Sequence, residues 1–446
     1  MTADVTGRLR EIERAIVARR PEHSIDPSLD RIRALTELLG DPQRAYPVIH
    51  LTGTNGKTST ARMTETLLRA RGLRTGLFTS PHLSAITERI CLDGVPLSAE
   101  RFVGAYEEIE PYLDLVDASQ PAALSFFEVL VGMGGTWDNT NVADGVVAVV
   151  TPIAIDHARY LGNTVEAIAA DKAGIIKPGA VAVLAQQPAG AAEALLRRAA
   201  EVGATVAREG LEFGVTSREL ALGGQLLSVQ GLHGHYQDLF LPLFGAYQAG
   251  NAACALAAAE AFTGPAGGDP ADAQPLDEEL VRDAFRQMSS PGRMEIVRRS
   301  PTVIVDAAHN PAGMAASLDA LTEAFSFTGL IGILAVSEDK DVPAILDQLE
   351  PVVTELVVTA NSSSRSMAPA KLLELASPVF GPDRVRAADR LDDAIEIAVG
   401  LADEGVTDSE GGLGSTGVLI TGSVITAGDA RVLLAAGPGS PGGGAR

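Results

Sequence analysis

The sequence predicts an α/β protein, built from a doubly wound, mostly parallel sheet domain with a phosphate-binding loop and a smaller C-terminal α/β (Rossmann-like) domain. Short apolar runs rich in β-branched residues alternate with helical patterns, and several of these runs end in loops of small and polar residues, at 53–58, 79–83 and 151–157. A second β/α series starts near Thr302. Such alternation is typical of parallel sheets, whose ligands bind beyond the carboxyl ends of the strands. We therefore expect one composite site at that edge.

The elements follow in order. Apolar spacing predicts helices over residues 9–19 and 30–39, the second ending before Gly40-Asp41-Pro42. Strands are predicted at 48–51, 75–78, 145–150 and 181–184, with an Ala-rich helix at 191–200. Alternation around a Gly-rich turn predicts a small β-ribbon near 210–243, and a helix is expected over 246–262.

The domain organisation follows from these patterns. We expect a first domain over residues 1–292 that includes the ribbon, and a second domain over 293–435. The low-complexity segment 436–446 predicts a disordered tail. His233 and His235 lie on the ribbon without further metal-ligand spacing, so we interpret both as exposed.

Composition excludes several classes of protein. The chain has 446 residues and a net charge of −22, which argues against a general binder of nucleic acid or anionic membranes. Its two cysteines, Cys91 and Cys254, form no CxxC pair, so a disulfide scaffold and a thiolate zinc site are not expected. The charged N-terminus has no apolar signal core, and no apolar run is long enough to span a membrane. These features predict a cytoplasmic protein.

The segment Gly53-Thr54-Asn55-Gly56-Lys57-Thr58 lies between a predicted strand and a predicted helix. Glycines let backbone N–H groups converge on phosphate oxygens, the lysine neutralises charge, and Thr58 can bind Mg²⁺. The usual phosphate-loop pattern would have glycine where this chain has Leu51, so the loop is a variant. The alternative interpretation is a Gly-rich turn that only caps a helix.

The wider motif set resembles a known family. The stretch TGTNGKTS at 52–59 resembles the phosphate loop of the Mur ligases, and 79–83 with Glu88-Arg89-Ile90 and Phe127-Glu128 resemble the folylpolyglutamate synthase/dihydrofolate synthase branch. Further motifs follow in the order of that family: Asp156-His157, 171–175, Gln248 with Asn251, 291–293, 306–311, 339–341 and 421–423.

This resemblance implies an ATP- and Mg²⁺-dependent ligase that activates a substrate carboxylate as an acyl phosphate, which the amino group of glutamate then attacks. It assigns catalytic roles to Lys57, Lys172 and His309. The implied ATP-binding residues are Gly53, Thr54, Asn55, Gly56, Lys57, Thr58, Asn251, Arg293, Asp306 and His309. The implied metal site comprises Thr58, Ser80 and Glu128 around one Mg²⁺, Glu128 and His157 around a second, and a carbamylated Lys172.

The resemblance also implies the partners. They are small molecules (dihydropteroate or folates, L-glutamate and ATP), with no nucleic acid and no membrane, and the protein is expected to act as a monomer. Leu83, Arg89 and Ser423 are candidate substrate contacts.

One segment departs from the family pattern and leaves two alternatives open. The run 126–133 would have to serve as both a helix and a strand, so about twenty residues of typical element length are missing after Glu128. Thr136 and Asn139 also stand where the family usually has Arg and Ala. The loss of an internal strand should leave its neighbours unpaired. One alternative is therefore a nucleotide- or folate-binding protein with impaired catalysis, and the other is a different Mur-type amino-acid ligase.

Overall fold

The computed structural model describes residues 2–19, 29–130, 139–156, 164–264, 274–407 and 415–435. His157, Thr136 and the expected tail at 436–446 lie outside these ranges. Within the described ranges, no helix is long and apolar enough to cross a membrane, and both cysteines are free and buried.

The described residues of the first part of the chain form seven strands. They are β1 Val48–Thr52, β2 Gly76–Phe78, β3 Ile90–Leu92, β4 Val95–Pro96, β5 Gly145–Val150, β6 Val181–Leu184 and β7 Thr205–Arg208. Its helices are α1 Thr2–Val17, α2 Asp30–Leu38, α3 Lys57–Ala70, α4 Ala99–Ser119, α5 Phe126–Leu130, α6 Val165–Lys172 and α7 Ala189–Val202. Short 3₁₀ turns at Ile86–Arg89, Asn139–Val142 and Ala173–Ile175 connect some of them.

Four of these strands form a parallel sheet in the order β1-β5-β6-β7. Alternate residues of β5 face opposite sides, which is the pleat expected of a strand buried on both faces. Val147 and Val149 pack towards Met63 of α3, whereas Ala148 and Val150 pack towards the core that holds Ile168 of α6.

Strand β1 pairs only with β5 among the described residues, and β2 pairs antiparallel with β3 in a separate three-stranded sheet with β4. In the described part of the chain, no strand therefore stands between β1 and β2. Residues 131–138, where that strand would lie, are outside the described ranges, so the expectation that a strand is missing after Glu128 stays a prediction.

A three-stranded antiparallel ribbon follows, made of β8 Gly214–Ala221, β9 Gly224–Gln230 and β10 His235–Leu241. Helix α8, Ala246–Thr263, lies between the ribbon and the parallel sheet in one apolar core, and α9, Glu278–Gln287, closes the domain. On the ribbon His235 is exposed, but His233 is half-buried. The backbone N–H of His233 donates to the buried carboxylate of Glu260 (3.4 Å), which holds this turn against α8. The expectation that both histidines are exposed is wrong for His233.

The second domain is a six-stranded sheet in the order β11-β12-β16-β13-β14-β15. Its strands are β11 Glu295–Arg299, β12 Thr302–Val305, β13 Gly329–Leu334, β14 Glu355–Val358, β15 Val385–Ala387 and β16 Thr416–Thr421. Its helices are α10 Pro311–Ala324, α11 Val342–Leu349, α12 Pro369–Phe380, α13 Leu391–Thr407 and α14 Val424–Ala435. Apolar side chains from both faces of this sheet lie in two separate cores. Two helix-covered sheets confirm the predicted fold class.

Strand β11 is the one antiparallel member of this sheet and had no counterpart in the sequence prediction. Its side chains are exposed or half-buried, so it carries no apolar run that would mark a strand.

Candidate active site

The phosphate loop begins where β1 ends and continues into α3. Gly53 has a φ of 138°, and a Cβ at this position would lie 2.0 Å from the Thr151 hydroxyl, so only glycine fits. The N–H groups of Thr54 and Asn55 donate to the carbonyl of Pro152 (3.0 and 3.3 Å), which fixes the loop on the segment after β5. The sheet therefore holds the loop in place at its carboxyl edge.

Lys57 is the first residue of α3, and its ammonium folds back over the loop. Its Nζ donates to the carbonyls of Gly53 (2.7 Å) and Thr54 (2.9 Å). Burial, and then the charges of Lys172, Arg293 and Lys340, lower the pKa of Lys57 to about 7, against the opposing effect of Asp156. Cations from both domains thus converge on one point of an acidic protein, which is the electrostatic environment that phosphate groups require.

A polar network joins the two domains beside the loop. Oδ1 of Asp156 accepts from Lys340 (2.6 Å). Oδ2 of Asp156 accepts from Asn310 (3.3 Å) and lies 3.5 Å from Nε2 of His309. The amide of Asn310 also donates to Oδ1 of Asn55 (3.1 Å). The second domain therefore contacts the phosphate loop directly.

The loop after β2 is held by two neighbouring side chains. Glu88 accepts from the N–H groups of Leu83 (2.9 Å) and Ser84 (3.2 Å), while Nε of Arg89 donates to Nδ1 of His82 (2.9 Å). Burial and the Arg89 charge lower the pKa of His82 to about 4, so this ring is neutral near pH 7. The Arg89 guanidinium also lies 5.0 Å from the ring centre of Phe126, which connects this loop to α5.

A cleft lies between α3, this loop and the second domain. Its lining residues are Thr58, Arg62, Thr79, Pro81, His82, Leu83, Glu88, Ser290, Pro291, Arg293, Ala307 and Val424. The cleft brings Thr58, Leu83 and Arg293 together, three residues that the sequence placed in the site.

Two family profiles match most of the chain. The Mur ligase middle domain matches residues 51–259, and the glutamate ligase domain of Mur ligases matches residues 292–424. The dihydrofolate synthase/folylpolyglutamate synthase of Mycobacterium tuberculosis is 47% identical over 473 residues, covering 98% of this chain and 96% of the relative. The chain belongs to the folylpolyglutamate synthase/dihydrofolate synthase family.

Other relatives and solved structures agree with this membership. The folylpolyglutamate synthase of Lacticaseibacillus casei is 32% identical over 91% of this chain and 94% of its own length. The structure of Mycobacterium tuberculosis folylpolyglutamate synthase with ADP has a TM-score of 0.91 at 46% identity, covering 97% of this chain and 100% of that chain. Escherichia coli FolC in complex with DHPP and ADP has a TM-score of 0.79 at 28% identity, covering 96% of this chain and 98% of that chain.

As a member of this family, the chain is an ATP-dependent ligase. Its alignment with the Mycobacterium tuberculosis relative extends over 473 positions, whereas the chain has 446 residues. Some positions of that alignment therefore have no counterpart in this chain.

The remaining ATP-binding candidates of this synthase-family chain differ in their burial and in their hydrogen-bond partners. Asn251 of α8 is buried next to Gly56, where its Oδ1 would lie 2.4 Å from a Cβ. The carboxylate of Asp306 already accepts from Met294 N–H (2.9 Å), Ala308 N–H (2.9 Å) and the Ser317 hydroxyl (2.7 Å). Asp306 thus shapes the turns on either side of β12.

The contacts of the His309 ring leave its Nε2 facing the boundary between the domains. Its Nδ1 lies 2.9 Å from the carbonyl of Ala307, which fixes Nδ1 as the protonated nitrogen of the neutral ring. Nε2 then faces Asp156 at the domain boundary. Ser423, by contrast, directly precedes α14. Its hydroxyl accepts from Thr426 N–H (2.9 Å) and from the Asn361 amide (3.0 Å).

The expected metal ligands are only partly assembled. Thr58 and Ser80 are half-buried. Lys172 is buried, and it is close enough to Lys57 for its charge to lower the pKa of Lys57. Glu128 is also buried, but its carboxylate accepts from Arg31 Nε (2.7 Å) and from Ser125 N–H (2.7 Å). Among the described residues no three His, Cys, Asp or Glu side chains cluster as a metal site.

Sequence reasoning gave no role to several residues that the structure brings to the site. Asp156 and Lys340 belong to the family motifs at 156–157 and 339–341, and they pair with each other. Arg62 and Ser290 line the cleft. The first two were recognisable as polar residues in loops after strands. Nothing in the sequence marks Arg62, because one exposed-looking arginine on an amphipathic helix has no distinguishing spacing.

Proposed function

We propose that this protein joins L-glutamate to dihydropteroate and to the γ-carboxylate of (tetrahydro)folate, through an acyl phosphate formed with ATP. The observation that carries this proposal is the set of cations, Lys57, Lys172, Arg293 and Lys340, gathered around the phosphate loop. The named relatives are synthases of both kinds, some dihydrofolate synthase/folylpolyglutamate synthase and some folylpolyglutamate synthase alone. An ATP-dependent ligation at the same loop is the activity they share.

In this proposal the chain's own residues bind and orient the triphosphate. Lys57 exchanges its two carbonyl contacts for phosphate oxygens and neutralises the charge of the transferred phosphoryl group. Arg293, Asn251 and Asp306 form the nucleotide side of the site. His309 and Lys340 extend from the second domain, so closure of the two domains completes the site.

The residues at the loop fit Mg²⁺. Hydroxyl oxygens of Thr58 and Ser80 suit this ion, which keeps several waters and binds through few protein ligands and phosphate oxygens. Bound Mg²⁺ would stabilise the negative charge of the phosphoryl group. His157 and Glu128 stay predicted ligands, and the Arg31 contact of Glu128 would have to break for that role.

Lys172 is proposed to act as a carbamate. As an ammonium it lies buried and lowers the pKa of Lys57, so two like charges oppose each other without solvent. After loss of one proton, the neutral Lys172 amine would form a C–N bond to CO₂ and release a second proton to solvent, so that an anionic carbamate replaces the cation, removes the repulsion and offers oxygen ligands to a metal. Activity of Lys172→Ala would then be partly restored by added short carboxylic acids, whereas a purely structural lysine would not respond.

We further propose that the protein acts in the cytoplasm as a monomer on small molecules, without nucleic acid. The negative charge and the two buried free thiols support this setting. Light scattering that gives twice the mass of one chain would contradict the monomer.

The test of the proposed activity is the incorporation of labelled glutamate into dihydropteroate and into tetrahydrofolate, measured in parallel. Product from both substrates, abolished by Lys57→Ala, is the expected result. Product from one substrate alone would narrow the activity to that synthase. A folded protein that binds ATP but forms no product from either would overturn the proposal and point to the impaired-catalysis alternative.

A further inference from the structure

A second cavity lies at the opposite edge of the parallel sheet from the phosphate loop. It has a volume of about 400 Å³ and is lined by Leu29, Arg33, Asn141, Ala170, Gly174, Lys177 and Arg198. Asn141 and Lys177 lie just before β5 and β6, and Arg198 is in the C-terminal half of α7, which runs back from β6 to β7. These positions are at the amino edge of the sheet, whereas the phosphate loop leaves the carboxyl edge of β1.

Three cations line this cavity and no carboxylate does so among its described lining residues. Arg33 and Arg198 have no ion pair with any described residue, and Lys177 makes one hydrogen bond, to the carbonyl of Asn141 (3.3 Å). Burial lowers the pKa of Lys177, as do Arg198 and Arg33, while Asp144 has the opposite effect. Like charges are thus held together in a chain whose net charge is −22, where acidic partners are abundant.

Two buried polar atoms at this cavity lack partners. Nε of Arg198 is buried with no acceptor, and Oδ1 of Asn141 is buried with no donor. Buried polar groups in proteins are normally hydrogen-bonded, and a buried guanidinium N–H favours an anionic acceptor. An anion between the three cations would satisfy Arg198 and remove the repulsion between Lys177 and the two arginines.

We propose that this cavity is a binding site for a small molecule that carries two or more phosphate or carboxylate groups, separate from the nucleotide site. The volume is within the range of pockets that enclose small ligands. Three cations match a multiply charged anion, because a single negative charge would leave most of the repulsion in place.

The site is connected to the active site through a short segment. Lys172 contributes to the charge around Lys57, Lys177 lines the cavity, and only the turn Ala173–Ile175 and Ile176 separate the two lysines. An anion that draws Lys177 towards Arg33 and Arg198 would therefore act on the segment that positions Lys172.

The experiment is calorimetric titration of the full chain with pyrophosphate and, separately, with tricarballylate, after the phosphate loop has been filled with the ATP analogue AMPPCP and excess Mg²⁺. Tighter binding of pyrophosphate would assign the site to phosphates, and tighter binding of tricarballylate would assign it to carboxylates. Either result, at one site per chain, supports the proposal. No heat from either probe at millimolar concentration, beyond the heat that the same probe gives in the Mg²⁺-containing buffer without protein, would overturn it.

The decisive comparison is between two neighbouring arginines of α7. Arg198→Gln removes a cation from the cavity, whereas Arg197→Gln removes the same charge from the surface, where Arg197 lies 3.7 Å from Glu193. We expect Arg198→Gln to weaken binding at least about tenfold and Arg197→Gln to change it less than about twofold. Equal weakening by both variants would mean only a diffuse effect of charge and would overturn the site. Thermal unfolding of both variants confirms that each remains folded.

Discussion

At the scale of single residues, Arg89 shows how a buried cation organises a loop without touching the nucleotide site. It is 2% exposed, donates to His82 and lies over the rings of Phe126 and Phe127 at 5.0 and 5.7 Å. A planar guanidinium can donate along its edge and stack on an aromatic face at the same time, which an ammonium cannot do. The sequence suggested Arg89 as a substrate contact, and that role stays a prediction beside the structural one.

Replacement of Arg89 by lysine should therefore destabilise the protein. Arg89→Lys loses the hydrogen bond to His82 and the stacking on the two rings, and we expect the free energy of unfolding to fall by about 2 kcal/mol. Urea unfolding measures the change. Arg74→Lys is the control, since that side chain is 91% exposed and its replacement should change stability by less than about 0.5 kcal/mol. Equal effects of the two variants would contradict the structural role of Arg89.

The depressed pKa of Lys57 predicts that nucleotide binding depends on pH. In the free protein burial and neighbouring cations lower this pKa to about 7, so much of Lys57 is neutral at pH 8. Phosphate oxygens favour the charged form, so ADP binding should take up a proton, and affinity should fall as pH rises from 7 to 9. Calorimetry in buffers of different ionisation enthalpy measures the uptake.

The same pKa has a consequence for stability. A lysine with a lowered pKa in the folded state binds its proton more tightly when unfolded. As the pH rises from about 7 to the ordinary pKa of a lysine, the contribution of Lys57 to the free energy of unfolding therefore increases. Lys57→Met should remove both this slope and the proton uptake on ADP binding. Persistence of the uptake in Lys57→Met would show that another group titrates.

At the scale of elements, the neighbouring strands β1 and β5 differ in pairing and in burial. This strand pairs with β5 on one side only among the described residues, and three of its five residues are half-buried. By contrast, β5 lies between β1 and β6, and five of its six residues are buried. Among the described strands, the one that leads into the phosphate loop is therefore at an edge of the parallel sheet.

The buried pair of Glu128 and Arg31 ties α5 to α2, and this gives two opposed expectations for Glu128→Gln. Their side chains are 1% and 7% exposed, with Oε1 2.7 Å from Nε. If the pair is structural, the variant leaves a buried arginine charge and lowers the free energy of unfolding by about 3–5 kcal/mol. If Glu128 binds metal, the variant instead raises the Mg²⁺ concentration needed for half-maximal glutamate incorporation.

We expect the first outcome, because both carboxylate oxygens already accept hydrogen bonds from other groups. Glu110→Gln is the control, since Glu110 forms an exposed pair with Arg8, whose loss should cost less than about 1 kcal/mol. An unchanged unfolding curve with a shifted Mg²⁺ requirement would establish the metal role instead.

Most elements were predictable because their signals are local. The Ala-rich helix α8 and the strands β5 and β16 consist mostly of apolar residues, as elements with few exposed positions require. Strand β11 was missed because its pairing with β12 depends on the fold and not on its own apolar pattern. Within the site, Gly53 and Lys57 were predictable from loop chemistry. The pairing of Arg31 with Glu128 was not, because no local rule relates residues so far apart in sequence.

At the scale of the whole molecule, the two domains meet through charges and through apolar contacts, since Phe244 and Tyr247 of the first domain pack against the core of the second. Asp156 of the first domain is 10% exposed and pairs with Lys340 of the second, also 10% exposed, at 2.6 Å. The backbone of Leu83 also approaches α14, where a Cβ on Gly428 would lie 1.9 Å from the Leu83 carbonyl. An interface that is partly polar permits relative motion of domains more readily than a large, wholly apolar one does.

Removal of the Lys340 ammonium should therefore open the molecule. Lys340→Met removes the cation that pairs with the Asp156 carboxylate in the closed arrangement, which disfavours closure by about 2–5 kcal/mol, or about thirtyfold in population at the lower value. We expect a larger radius of gyration in solution scattering and a loss of glutamate incorporation of at least about tenfold, while each domain stays folded.

The matched control for this variant is Lys371→Met. Lys371 pairs with Glu338 inside the second domain, and both side chains are more than half exposed, at 55% and 56%. Loss of such a pair should leave both the scattering profile and the activity unchanged. A Lys340→Met protein whose scattering matches that of the unaltered chain would mean that Asp156 and Lys340 do not hold the domains together, and that its loss of activity arises at the phosphates, where Lys340 also contributes charge.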